Sequence, residues 1–120
     1  MTRARRRAER RGRAAELIAA LWLIAKGYRI LGRRVRTRFG EVVLAALKRG
    51  VLVIVEVKAR ATRAAGLEAV APMQQARLER AAQALAGRWR MMKAPIRFDV
   101  VIVGAGLWPQ HVPGAWFARA

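Results

Sequence analysis

The stretch 51-VLVIVEVKAR-60 decides how the rest of the chain is read. Five apolar residues, Val51 to Val55, run without a break. A short continuous apolar run bounded by turn residues reads as a strand buried on both faces of a sheet. The run then meets Glu56, Val57 and Lys58. Side chains alternate along a strand, so Glu56 and Lys58 point to one side and Val57 to the other. A carboxylate can bind a divalent cation, and a neighbouring Lys can steady developing negative charge or orient a water. Hydrolysis of a phosphodiester would use both. The plainer reading is a surface salt pair at a strand end, because E-x-K is a common spacing.

On the N-terminal side, Ala14 to Lys26 is rich in Ala and Leu and reads as a buried helix. Leu17, Leu21 and Ile24 share one face, with Ile18, Trp22 and Ala25 beside them, and Gly27 is placed to end the helix. Tyr28 to Arg38 alternates in part, as an edge or half-exposed strand does. Glu41 to Leu47 is a second strand, and Lys48-Arg49-Gly50 a turn into Val51. On the C-terminal side, residues 59–71 are polar and small and read as a loop. Pro72 opens a helix to about Ala86, with Leu78, Ala81, Ala82 and Leu85 on one stripe. Ile96 to Val103 is a last buried strand, followed by a turn at 104-GAG-106 and a short strand at Ala115 to Ala118. The order α-β-β-β-α-β gives an α/β fold, a mixed sheet with helices packed on it.

The charge is lopsided: 25 Lys+Arg against 7 Asp+Glu, a net charge of +18 over 120 residues. Such a field favours polyanions, with nucleic acid ahead of a membrane surface. An Arg/Ala-rich background composition is the bland alternative. The chain has no Cys, which excludes disulfides and Cys-based zinc sites and fits a reducing cytoplasm. The run 3-RARRRAERRGR-13 ahead of 14-AAELIAALWLIA-25 has the outline of a signal peptide. Glu16 interrupts it, however, no small-x-small cleavage site precedes Lys26, and about 20 apolar residues would be needed to span a bilayer. Residues 1–12 are therefore expected to be a flexible basic lead-in to one domain at 13–120, with no membrane among its partners.

The order 12-GRAAE-16, 27-GYRIL-31, 40-GEVVL-44, 53-VIVEVKAR-60, 72-PMQQARLERAA-82 and 97-RFDVVIV-103 resembles the small bacterial YraN-type proteins. These belong to the restriction-endonuclease-like PD-(D/E)XK nuclease superfamily, beside archaeal Holliday-junction resolvases. The resemblance extends from about Gly12 to Phe117. It implies a central mixed sheet flanked by helices and a metal-dependent nuclease-like site. Carried over by position, the site residues are Glu16, Glu56 and Lys58, with Glu16 and Glu56 on the metal. Glu41 matches the acid of the family's G-E-[IV]-D-L stretch. The chain departs from the pattern at three places. Val43 stands where the family has its Asp, Arg34 where it tends to have Asn, and Gln74 where a Lys usually follows the Pro. A Val cannot coordinate a cation, and two acids beside a Lys hold one poorly. Glu41 should face the same side as Val43, displaced by about 6.5 to 7 Å along the strand.

Other residues receive plainer roles. Asp99 begins an apolar strand and can pair with Arg97. His111, between Pro109 and Pro113, reads as a surface residue. Trp89, Trp108 and Trp116 close the edges of a core more often than they stack on bases. Arg33, Arg34, Arg36 and Arg38, with Arg60, can line a phosphate-binding face. Three functions stay open at this point. The first is a nucleic-acid-binding protein of nuclease ancestry with an impaired metal site, DNA being the favoured partner. The second is an active endonuclease, acting on DNA that is branched, for instance, with Mg²⁺ or Mn²⁺ and with Glu41 in the missing Asp's place. The third is a non-enzymatic basic protein that binds RNA or another polyanion and needs no cofactor. A dimer is left open.

Overall fold

The strand implied by the apolar run is the middle one of a five-stranded sheet. The computed structural model describes residues 2–104, 106 and 108–118. Along the chain these form α1 (Arg3–Ala25), β1 (Arg29–Thr37), β2 (Gly40–Lys48), β3 (Val51–Ala59), α2 (Arg63–Glu68), α3 (Pro72–Arg88), β4 (Ile96–Val103) and β5 (Gln110–Trp116). The sheet order is β1-β2-β3-β4-β5. Only the β3–β4 pair is parallel; the other neighbours are antiparallel. A parallel pair needs a crossover connection, and α2 and α3 supply it. The result is an α/β fold with a mixed sheet, compatible with a restriction-endonuclease-like architecture.

Helices cover both faces. On one, Ala19, Ala20 and Leu23 of α1 pack with Leu44, Val53, Val55 and Val101. On the other, Leu78, Ala81, Ala82 and Leu85 of α3 pack with Val42, Leu52, Ile54 and Phe98. β3 thus contributes alternate residues to both layers, which is why its run is continuously apolar. β1 is an edge strand, as its partial alternation implies.

Four expectations about these elements need correction. First, α1 begins at Arg3, not Ala14. The Thr2 hydroxyl accepts from the Arg5 N–H at 3.2 Å, a side-chain N-cap, and the basic run is helical and continuous with the apolar one. Second, the predicted inward face of α1 points outward. Leu17, Leu21 and Ile24 are 46%, 58% and 53% exposed, while Ala15, Ala19, Ala20 and Leu23 are buried. Small alanines let the helix backbone lie close to the sheet, and the bulky residues are turned to the outside. Third, residues 59–71 are not all loop, since α2 lies within them. The Thr62 hydroxyl caps it, accepting from Ala65 N–H at 3.1 Å. The tail strand is also longer than Ala115–Ala118 and starts at Gln110. The turn at 104-GAG-106 has Gly104 and Gly106 at φ 102° and 141°, a region L-residues with a Cβ avoid; Ala105 lies outside the described residues.

Candidate functional site

Glu56 and Lys58 sit where the sheet forks. The β2–β3 pairs run from Lys48–Val51 to Leu44–Val55. The next position would set Val43 opposite Glu56, but the pairing ends there. From Glu56 to Ala59, β3 pairs with β4 (Glu56 with Val100, Lys58 with Ile102). The Glu56 side reaches toward α3, because Val55 and Val57 pack on the α1 face. Its carboxylate is 5% exposed. Oε1 accepts from the Val57 N–H at 3.0 Å and Oε2 from the Gln74 side-chain amide at 2.8 Å. Burial pushes its pKa above the ordinary carboxylate range, against the pull of Lys58, the Val57 N–H and Arg77; the charge of Glu16 adds to the push. Glu16 is therefore near enough for its charge to be felt at Glu56.

Glu16 is itself engaged elsewhere. Arg34 donates from Nε to Glu16 Oε1 at 2.7 Å, and its Nη2 lies 2.7 Å from the same oxygen. Arg34 Nη1 also stands 3.9 Å from Glu41 Oε1. The flanking pairs Arg33–Leu44 and Val35–Val42 set Arg34 across from Val43. Val43 packs on the α1 face. The position where the resemblance implies an Asp thus lies across the ladder from Arg34. Arg34 adopts φ 49°, a conformation uncommon for a residue with a long side chain. Among the described residues, no three His, Cys, Asp or Glu side chains are gathered as a divalent ion would need. The acids fall into two groups, Glu16 with Glu41 under Arg34, and Glu56 under Gln74. The donor set as placed does not fit a metal ion.

Cations surround the fork. Lys58 at the end of β3 and Arg60 just beyond it line a cavity of about 250 Å³ with Arg11 of α1. Arg33, Arg36 and Arg38 of the edge hairpin are exposed, and the Arg38 guanidinium lies over the Phe39 ring at 5.1 Å. Arg77 of α3 donates to the carbonyls of Phe39 and Glu41 at 3.1 and 3.2 Å, pinning the β1–β2 turn to α3. The N-terminal arginines were expected to join the phosphate-binding face, and Arg11 is the one that lines this cavity. The sequence reading missed Arg77, which lies on a helix with no nearby motif.

It also missed His111. The imidazole is 1% exposed and its Nε2 lies 2.7 Å from Asp99 Oδ2. Asp99, fully buried, also accepts two bonds from Arg97 at 2.8 Å and the Gly114 N–H at 3.0 Å. Lys26 Nζ stands 2.6 Å from Nδ1, so the ring nitrogen facing Asp99 is the one that carries the proton in the neutral ring. Burial would raise the Asp99 pKa, but the hydrogen bonds from His111, Arg97 and Gly114 outweigh it and hold the carboxyl below its usual range. This network ties the C-terminal end of α1 to β4 and β5. Asp99 pairs with Val55 on β3, next to Glu56, and its partners Arg97, His111 and Gly114 lie on β4 and β5.

A family model described as an uncharacterised protein family, UPF0102, matches residues 15–103. A UPF0102 protein of Maricaulis maris is 51% identical over 97% of this chain and 92% of its own length. One from a Caulobacter species is 50% identical over 88% of this chain and 76% of its own length. Another, from Paramagnetospirillum magneticum, is 43% identical over 96% and 93%. The matched region holds every acid of the fork and the whole sheet except β5, and the chain belongs to the UPF0102 family.

Proposed function

We propose that this chain is a nucleic-acid-binding protein of nuclease-like ancestry that works without a divalent ion at the fork, with DNA its favoured partner. One observation carries the reading. Arg11, Lys58 and Arg60 converge on one polar cavity beside the most buried strand of the sheet, in a chain of net charge +18. Glu16 and Glu41 engage Arg34, Glu56 accepts from Gln74, and Asp99 engages Arg97 and His111, and the chain holds 25 Lys+Arg against 7 Asp+Glu. The surplus cations are thus available to phosphates, whose contacts position a duplex or a branched strand without reading its sequence. The exposed Arg33, Arg36 and Arg38 extend that surface along the hairpin edge.

Arg34 is the reason for leaving the metal out. Its guanidinium supplies to Glu16 and Glu41 the positive charge that a cation would supply. It is fixed covalently and needs no open coordination position. A working nuclease built on Glu41 would need Arg34 to leave. The test is calorimetry with Mn²⁺ and Mg²⁺ on the purified chain, paired with incubation on junction, flap, single-stranded and duplex DNA and on RNA. The expected result is binding of DNA in EDTA, no saturable metal heat at micromolar ion, and intact substrate. Metal-dependent cleavage lost in Glu56→Gln would replace this reading with an active endonuclease.

A further inference from the structure

Among the described residues, the outward row of α1 is an apolar feature left uncovered. Leu17, Leu21 and Ile24, with Ile18 at 42% exposure, stand on the side away from the sheet. Trp108, 68% exposed, lies with its ring 5.6 Å from that of Trp22 beside this row. Tracing the same row toward the N-terminus in steps of three or four residues gives Arg13, Arg10, Arg6 and Arg3, all exposed. Steps of three and four keep residues on one face of a helix. One face of α1, about 32 Å long at 1.5 Å per residue, is therefore cationic over its first half and aliphatic over its second.

We propose that this face docks on an anionic lipid bilayer surface, lying in the headgroup plane. A helix with a basic part and an apolar part binds such an interface through buried apolar area plus attraction to anionic headgroups. Charge complementarity selects this occupant. A second copy would bring a body of net charge +18 against another of the same charge. A parallel pairing would set arginine row on arginine row. An antiparallel one would set the arginines against the partner's Lys26 and Arg29 end. The face is the outer surface of a helix, and the headgroup–acyl boundary accepts such a convex surface. Trp108 suits the boundary, where an indole has an apolar body and a polar N–H. No helix of the described residues is long and apolar enough to cross a membrane, so the contact is peripheral. The sequence reading set nucleic acid ahead of a membrane surface on charge and weighed the apolar run only as a bilayer-spanning segment, for which it is too short.

The experiment is co-sedimentation of the whole chain with phosphatidylglycerol vesicles and with phosphatidylcholine vesicles, alongside Leu21→Glu and Ile24→Glu. Both positions are more than half exposed, so the variants should melt like wild type and keep wild-type DNA affinity. Partition to phosphatidylglycerol should exceed that to phosphatidylcholine and fall about tenfold or more in each variant, the loss expected for an aliphatic side chain that no longer leaves water. Absence of vesicle binding, equal binding to both lipids, or undiminished binding by the variants would overturn the proposal. So would a dimer in vesicle-free sedimentation that Leu21→Glu dissolves, since a second copy would then cover the row.

Discussion

Glu56 is a carboxyl taken out of water with one side-chain amide and one N–H in place of a metal's charge. Burial raises its pKa, so at a pH above that raised value the ionised group costs the fold stability, and the cost disappears as pH falls through it. Glu56→Gln keeps the shape and removes the charge. It should raise the melting midpoint by a few degrees at pH 8, with the gain shrinking toward pH 4; a lowered midpoint at pH 8 would mean that the carboxylate is a structural ion-pair partner. Asp99 runs the other way. Its pKa is held down, so its contribution is present above the ordinary value of about 3.9 and is lost as pH falls through the lower folded value. His111→Ala should cost about 1–3 kcal/mol, because a buried carboxylate loses a partner. Denaturant titration at neutral pH reads that loss. At this scale the sequence was legible where spacing carries meaning, as in the Arg97–Asp99 pair. It was not legible where partners lie far apart in the chain, as His111 and Asp99 meet through the β4–β5 pairing and Glu16 meets Arg34 across α1 and β1.

Arg34 and Val43 form a unit across the β1–β2 ladder, so a prediction about either belongs to the pair of strands. Val43→Asp alone should place a new carboxylate opposite the guanidinium and leave metal binding weak. Arg34→Asn with Val43→Asp should give markedly tighter Mn²⁺ binding than wild type by calorimetry, since it removes the resident cation and adds an oxygen donor near Glu16. Equal affinities in the two chains would mean that Arg34 does not decide metal access. Asn also suits the positive φ of position 34 better than Arg does. The crossover helix α2 offers a packing test. A Cβ at Gly66 would run into the side chain of Ile102, which is fully buried on β4. Gly66→Ala should therefore destabilise by about 1–3 kcal/mol despite its better helix propensity, measured by denaturant midpoint. The long elements were legible because each carried a full period or an unbroken apolar run. α2, six residues long, is too short to show a period. For α1 the period was read correctly but the inward face was not, since two apolar rows interleave and only packing against the sheet selects the alanine row.

For the whole molecule, charge outweighs any single contact. The excess of Lys and Arg is spread over α1, the β1–β2 hairpin and the end of β3, around the fork that holds the buried Glu56. Deleting residues 1–11 removes Arg11 from the cavity beside Lys58 but, among the described residues, no buried side chain. It should weaken DNA binding while leaving the melting midpoint near wild type. The central claim, phosphate-driven binding of nucleic acid without a metal, is tested most directly by fluorescence anisotropy of labelled branched DNA in EDTA across a series of salt concentrations. Binding that engages about four or more phosphates predicts a straight log–log plot with a slope of about −3.6 or steeper, and a shallower slope after deletion of residues 1–11. An affinity that does not change with salt, or no binding at micromolar protein in low salt, would contradict the account.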